Sequence, residues 1–318
     1  MNNSTRNLKM KKLLIASTAL VATAGMAAAD VTVTGHAAAG YHSNLFDNTA
    51  SGDVYADSGI YSNVGVDFTM SGATDSGVTF GATLNIDAGE EIDAADYHLD
   101  GTDGGTAGLG SVTVGGAFGT LTFDNDGIDN IYNDAYTAMD VSYSTTLSGV
   151  AVTVAMDVND SSAAATSGKD DMSFSAGYGS GAMAYTLTGS NNATSGMSYK
   201  LNAAYTVSDA LTVSASTKSN AGAATSSSVA EVKAVATVSG LSITAASDNA
   251  TASGWDLDLG YTINGIALAY GTDEKNTHDI NATYALGGGA TFHAGMKNWG
   301  TDKASQKDSA YAGVSFAF

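Results

Sequence analysis

An all-β chain that closes into a transmembrane antiparallel β-barrel is predicted by three features of the sequence. Apolar and polar residues alternate in segment after segment, the chain ends inside such a segment, and the connections are short and long by turns. A strand turns successive side chains to opposite faces, so strict alternation means one greasy face and one wet face.

The first residues concern destination rather than fold. Arg6, Lys9, Lys11 and Lys12 form a basic region, Leu13 to Ala24 an apolar one, and Ala27-Ala28-Ala29 a small-residue cleavage site. That is the pattern of an export signal, so residues 1–29 are expected to be removed and 30–318 to form a single barrel domain. The apolar run is about a dozen residues, against the roughly 20 that a spanning helix needs. Met10, followed by Lys11, Lys12 and Leu13, is an alternative start.

Beyond residue 29 the chain keeps eight Lys against 32 acidic residues and no Arg, a net charge of −24. Such a surface repels nucleic acid and enriches cations near any concave part of it. The absence of Cys excludes disulfides, thiolate metal sites and Cys nucleophiles, and suits an oxidising compartment. No Pro among 38 Gly suits a ladder that uses every backbone donor.

Alternation identifies the strands. Val78, Phe80, Ala82, Leu84 and Ile86 alternate with Thr79, Gly81, Thr83, Asn85 and Asp87, and Val150, Val152, Val154, Met156 and Val158 with Ala151, Thr153, Ala155 and Asp157. Met197, Tyr199, Leu201, Ala203, Tyr205 and Val207 separate in the same way from Ser198, Lys200, Asn202, Ala204 and Thr206, and Trp255, Leu257, Leu259 and Tyr261 from Asp256, Asp258 and Gly260. The polar faces carry charges that a packed sandwich core would not accept unpaired. In a barrel with an aqueous interior they face water.

Short connections fall at Phe118-Gly119, Ser148-Gly149, Tyr178 to Gly181, Val207 to Ala210, Ser239-Gly240, Asn264-Gly265 and Gly287 to Gly289. Long, acidic, irregular ones are expected at Asn44 to Gly59, Ala88 to Gly108 and Asn159 to Asp170, as external loops would be. The parse gives about 18 strands.

The last strand, Ala310 to Phe318, puts Ala310, Ala312, Val314, Phe316 and Phe318 on one face, so Phe316 and Phe318 are expected to close the barrel. Tyr41, Tyr185, Tyr199, Tyr205, Tyr261, Tyr284 and Trp255 lie on apolar faces, several near strand ends, where interfacial girdles form.

In Asp30-Val31-Thr32-Val33-Thr34-Gly35, Ala117-Phe118-Gly119-Thr120-Leu121-Thr122 and Tyr311 to Phe318, in that order and spacing, the chain resembles the general porins of alphaproteobacteria, of the Rhodobacter type. The resemblance implies a homotrimer of barrels in the outer membrane of a Gram-negative bacterium, usually of 16 strands each. Each barrel would hold a water-filled channel for passive diffusion of ions and small hydrophilic solutes, with no enzymatic activity and no cofactor. It also implies an inward-folded third loop, here Asp124 to Asp140. That segment holds Asp124, Asp126, Asp129, Asp134 and Asp140 and no base. Carboxylates crowded in a narrow channel with low-dielectric walls favour cations.

The family's basic cluster opposite that loop is mostly Arg, which this chain lacks. Lys200, Lys218, Lys233 and Lys297 point inward by alternation and are the available counter-charges. Asp124-Asn125-Asp126-Gly127 resembles a calcium loop, but aligning Gly127 with the invariant glycine puts Thr122 first and Asn133 last, where carboxylates are required. A looser, weak Ca²⁺ clip at Asp124, Asp126 and Asp129 stays open. The five His show no metal-ligand spacing, and neither a P-loop nor a nucleophile elbow occurs. Two further readings stay open, a structural or adhesive outer-membrane barrel with a plugged lumen and a barrel-scaffold lipase. His293 is the one residue that suggests the lipase.

Overall fold

A computed structural model describes residues 30–47, 58–133, 138–158, 172–192, 196–219, 228–249, 254–301 and 307–318, with the side chains of 46–47, 100–106, 126, 192 and 196 excepted. The expected leader at 1–29, Asp134, and most of the segments 44–59 and 159–170 lie outside the described residues.

The described chain is strands joined by turns. In order these are β1 (Asp30–Ser43), β2 (Phe46–Asp47), β3 (Gly59–Ala73), β4 (Thr79–Asp93), β5 (His98–Gly116), β6 (Gly119–Ile128), β7 (Met139–Leu147), β8 (Val150–Met156), β9 (Met172–Ser180) and β10 (Met183–Asn192). They continue as β11 (Gly196–Ser208), β12 (Leu211–Ser219), β13 (Ser228–Val238), β14 (Leu241–Asp248), β15 (Trp255–Ile263), β16 (Ile266–Asp273), β17 (His278–Gly287), β18 (Ala290–Asn298) and β19 (Ser309–Ala317).

All but β2 pair antiparallel with their neighbours in sequence, β1 pairing with β3, and β19 returns to β1. The result is a closed barrel of 18 strands with no free edge. The count of 16 that the resemblance implied is therefore corrected to the number read from the turns. The physical reason is local: each alternating segment between turns forms its own wall strand, and β10 to β19 are ten consecutive hairpin-linked strands.

The register settles which face is which. Cross-strand partners share a face, and from Tyr205 the outward row runs through Val213, Ala234, Ala245, Leu257 and Thr272. Outward side chains such as Val31, Ile60, Leu109, Tyr199, Val232, Leu268 and Phe292 are exposed along the wall, a continuous apolar band of the kind that lipid covers. The seven girdle aromatics are all outward and exposed.

Three short turns, Ser148-Gly149, Ser239-Gly240 and Asn264-Gly265, hold positive φ at both central residues. That is the backbone of two-residue hairpins whose twist matches the flanking strands, which is why small or Asn residues followed by Gly stand there.

The segment Ala88 to Gly108 departs from expectation. Instead of an irregular loop it forms the two arms of a hairpin, with β4 running to Asp93 and β5 resuming at His98. The cause is a run of register shifts, between Ala82 and Leu84, Ile86 and Ala88, and Gly89 and Glu91. Bulges break the alternation that marks a strand in sequence while leaving the ladder in place.

Candidate functional site

The inward face of the barrel is polar nearly all the way round. Thr32, Thr34, Asp67, Thr69, Asn85 and Thr83 line β1, β3 and β4. Thr122, Ser142, Ser144, Thr153, Ser175, Thr188 and Asn202 continue it across β6 to β11. Some of these groups pair: His36 Nε2 lies 3.4 Å from Asp87 Oδ1, and Asn85 Nδ2 donates to Asp67 Oδ1 at 2.9 Å.

Other cross-strand partners carry like charge. Lys200 is directly opposite Lys218, Glu231 opposite Asp248, and Asp256 opposite Asp273. Like charges in directly opposed positions destabilise a sheet. In a dry interior three such pairs would be prohibitive, whereas in water two charges about 4 Å apart interact by only about 1 kcal/mol. The inner wall is built for an aqueous lumen.

Two segments lie against that wall. After β6, Asn130 is buried and donates through Nδ2 to Ser190 Oγ at 3.1 Å, and the Ile131 amide donates to Ser173 Oγ at 3.1 Å. The Tyr132 hydroxyl donates to the Ser219 carbonyl at 3.2 Å. Ser190 and Ser173 are lumen-facing partners in the β9–β10 ladder, so this part of the β6–β7 connection runs along the inner face of β9 to β12.

The second is the tip of the β4–β5 hairpin. Tyr97 is buried, and its hydroxyl lies 2.9 Å from Asn281 Oδ1 and 3.0 Å from the Met296 carbonyl, on the inner side of β17 and β18. Its ring meets that of Tyr311 edge-on at 5.5 Å. Burial pushes the Tyr97 hydroxyl well above the ordinary phenol range, which keeps it a donor. With Leu45, Tyr61, Leu99, Trp299 and Tyr311 it forms a small dry cluster inside the barrel.

The predicted site residues fall as follows. Asp124, on β6, is half-buried with its carboxylate over Gly127, and Asp129 is exposed. Asp140 is 7% exposed and accepts from the Val158 amide at 2.8 Å, which ties β7 to the end of β8. The Asp126 side chain and Asp134 lie outside what is described. Lys200 and Lys218 stand together on the wall along which the Asn130 to Tyr132 segment runs, and Lys233 is on the next strand, β13, opposite Ser214 and Ala246. Lys297 is inward, opposite Asp279, and its ammonium sits over the rings of Trp299 at 4.2 Å and Tyr97 at 5.4 Å. Phe316 and Phe318 are outward and exposed. Among the described residues no three acids or imidazoles converge as a metal site. His293 Nε2 lies 2.6 Å from the Tyr61 hydroxyl, which occupies the group on which a lipase reading would rest.

The residues that the alternation reading passed over are Tyr61, Tyr97, Trp299 and Tyr311. The available signal was aromatic residues on the wet side of β3 and β19 and at the centre of an acidic connection.

The profile of the Gram-negative porin family matches residues 16–252. The chain belongs to the Gram-negative porin family. Among solved structures this porin is similar to a porin refined at 1.8 Å resolution, with 17% identity and a TM-score of 0.54. That likeness covers 91% of this chain and all of the other. A triple mutant of the Rhodopseudomonas blastica porin matches with 14% identity and a TM-score of 0.52, over 91% of this chain and 100% of its own. An engineered protein described by its asymmetric conductivity gives 14% and 0.54 over the same shares. At such identities these likenesses show the fold. No curated protein sequence matches the porin significantly. The barrel is an outer-membrane channel for small solutes, with lipid against its outer face.

Proposed function

We propose that the channel prefers cations, that passage is passive with no reaction catalysed, and that the porin works as a homotrimer of separately conducting barrels. The preference rests on charge. Carboxylates outnumber ammonium groups four to one beyond residue 29, and no Arg balances them. On the inner wall Glu231, Asp248, Asp256, Asp258 and Asp279 stand among Lys200, Lys218, Lys233 and Lys297.

The observation that carries the reading is the course of the β6–β7 connection. Its Asn130 and Ile131 bond to lumen-facing serines, which supports an acidic segment from Asp124 to Asp140 bordering the water path. Carboxylates there lower the barrier for cations and raise it for anions. Lys297 adds little to the opposing charge, because its ammonium is already engaged by two rings.

The test is the zero-current potential of the purified porin in a planar bilayer under a tenfold salt gradient. A cation-preferring channel gives a potential of the sign set by cations running down the gradient, and its magnitude shrinks as salt screens the fixed charge. A potential at zero or of anion sign removes the reading.

A further inference from the structure

The β4–β5 hairpin is longer than a membrane wall needs. Its arms have 15 and 19 residues, where roughly 9 to 11 suffice to cross. A surplus of about six residues per arm, at about 3.3 Å each, reaches on the order of 20 Å. The three register shifts in this pair lie opposite Ala82 to Glu91, each adding a residue to β5 between Asp100 and Val112, while no other strand pair shows more than one. Bulges bend a strand and tighten its twist, so the arms are curved rather than straight.

Gly89 marks the bend. Its φ is +102°, and a Cβ there would fall 2.1 Å from the Ser62 carbonyl oxygen and 2.8 Å from Asn63 Cα of β3. Only glycine permits both the conformation and the approach.

The tip is held at four places. Tyr97 reaches Asn281 and Met296 through its hydroxyl, and its ring packs on Tyr311. The Lys297 ammonium bridges the rings of Tyr97 and Trp299. Leu99 joins Leu45, Tyr61, Trp299 and Tyr311 in the dry cluster. The first residues of β5 also pair in parallel with β2, Phe46 with His98 and Asp47 with Leu99. Asn281, Tyr311 and Lys297 all face the lumen by register, so the hairpin lies over the inner side of β17 to β19.

We infer that the β4–β5 hairpin is a constriction element of this channel in its own right, bent into the lumen at Gly89 and pinned there by Tyr97. It leans toward β17 to β19, whereas the neighbouring β6–β7 connection leans the other way, toward β9 to β12. The water path is thereby confined to the remaining side, along β13 to β16, where Lys233 and Asp258 are inward. Tyr97 is a positioning residue, and the hairpin carries Glu90, Asp93 and Asp96 with it. The inference rests on the channel itself and not on its preference for cations.

The absence of Cys allows a direct test. Asp96→Cys, at the exposed tip of the hairpin, is labelled with a bulky thiol reagent while single channels are recorded. A hairpin inside the lumen gives a stepwise fall in unitary conductance on labelling. Labelling confirmed by mass with unchanged conductance overturns the inference. In parallel, Tyr97→Ala in a protein that keeps the heat-modifiable gel mobility of a folded barrel should raise unitary conductance and the size of the largest neutral sugar admitted, with Tyr97→Phe intermediate. Equal conductance for all three also overturns it. Both readouts are sizes of current and not reversal potentials, so failure here and failure of the cation preference are told apart.

Discussion

The ring of Phe318 lies on Gly35. A Cβ at Gly35 would fall 2.3 Å from Cε2 and 2.7 Å from Cδ2 of that ring, and the two backbones exchange hydrogen bonds, Gly35 N to Phe318 O at 2.6 Å and Phe318 N to Gly35 O at 2.9 Å. The last residue of the chain thus closes the seam between β19 and β1 on both the ladder and the lipid side. Deleting Phe318, or introducing Gly35→Val, should lower the yield of folded barrel. The measurement is the fraction with heat-modifiable gel mobility after refolding into detergent, and normal yield for both variants would refute the role.

Neutralising Asp124→Asn, Asp126→Asn and Asp129→Asn together should move the zero-current potential toward zero without loss of unitary conductance steps. These carboxylates act on ions through the field in the lumen rather than by holding the fold. An unmoved potential would assign selectivity to another part of the wall.

Lys200 and Lys218 are directly opposed across the β11–β12 ladder. Converting one of them, Lys218→Glu, turns a like-charge pair into an opposite one and should stabilise the barrel by roughly 0.2–1 kcal/mol. The same variant should increase cation preference. Urea unfolding and reversal potential report the two effects separately.

Val232 and Lys233 are consecutive and face opposite solvents, Val232 toward lipid with 62% of its surface exposed and Lys233 toward the lumen. Val232→Lys should cost about 2–4 kcal/mol if the residue sits at the bilayer midplane. Lys233→Val should cost far less, since the lumen side is wet. Unfolding free energies in lipid vesicles that showed equal penalties would place both residues in one environment.

Ser190→Ala should loosen the β6–β7 connection. It leaves the buried Asn130 amide without its partner, at a cost of about 1–3 kcal/mol. The effect should appear as added current noise and faster proteolysis after residue 130, with the barrel intact.

Much of this architecture was legible because membrane strands obey one rule with period two. The turns at Ser148-Gly149, Ser239-Gly240 and Asn264-Gly265, the closing strand, and the outward aromatics all followed from it. So did the 18 strands, where resemblance alone pointed to 16. The rule fails where an extra residue enters a ladder. Between Asp100 and Val112 three bulges each add a residue to β5 and shift its alternation by one, so a long hairpin read as an irregular loop. It also fails to say what lies inside the lumen. Tyr97 meets Asn281 across 184 positions of sequence, and nothing in either neighbourhood names the other. Asp140 carried the charge expected of a pore residue, yet its carboxylate serves the Val158 amide.

The strand lengths have a last consequence. On one flank β1, β3, β4 and β5 run for 14, 15, 15 and 19 residues, while β14 to β19 run for 8 to 10. Strands joined by tight turns share one end, so their unequal lengths are spent at the other, where the ladder on the side of the chain's beginning runs on as far as Gly89 and the hairpin beyond it is turned inward. The carboxylates of the short flank, Asp256 and Asp273, stand paired at that end of β15 and β16.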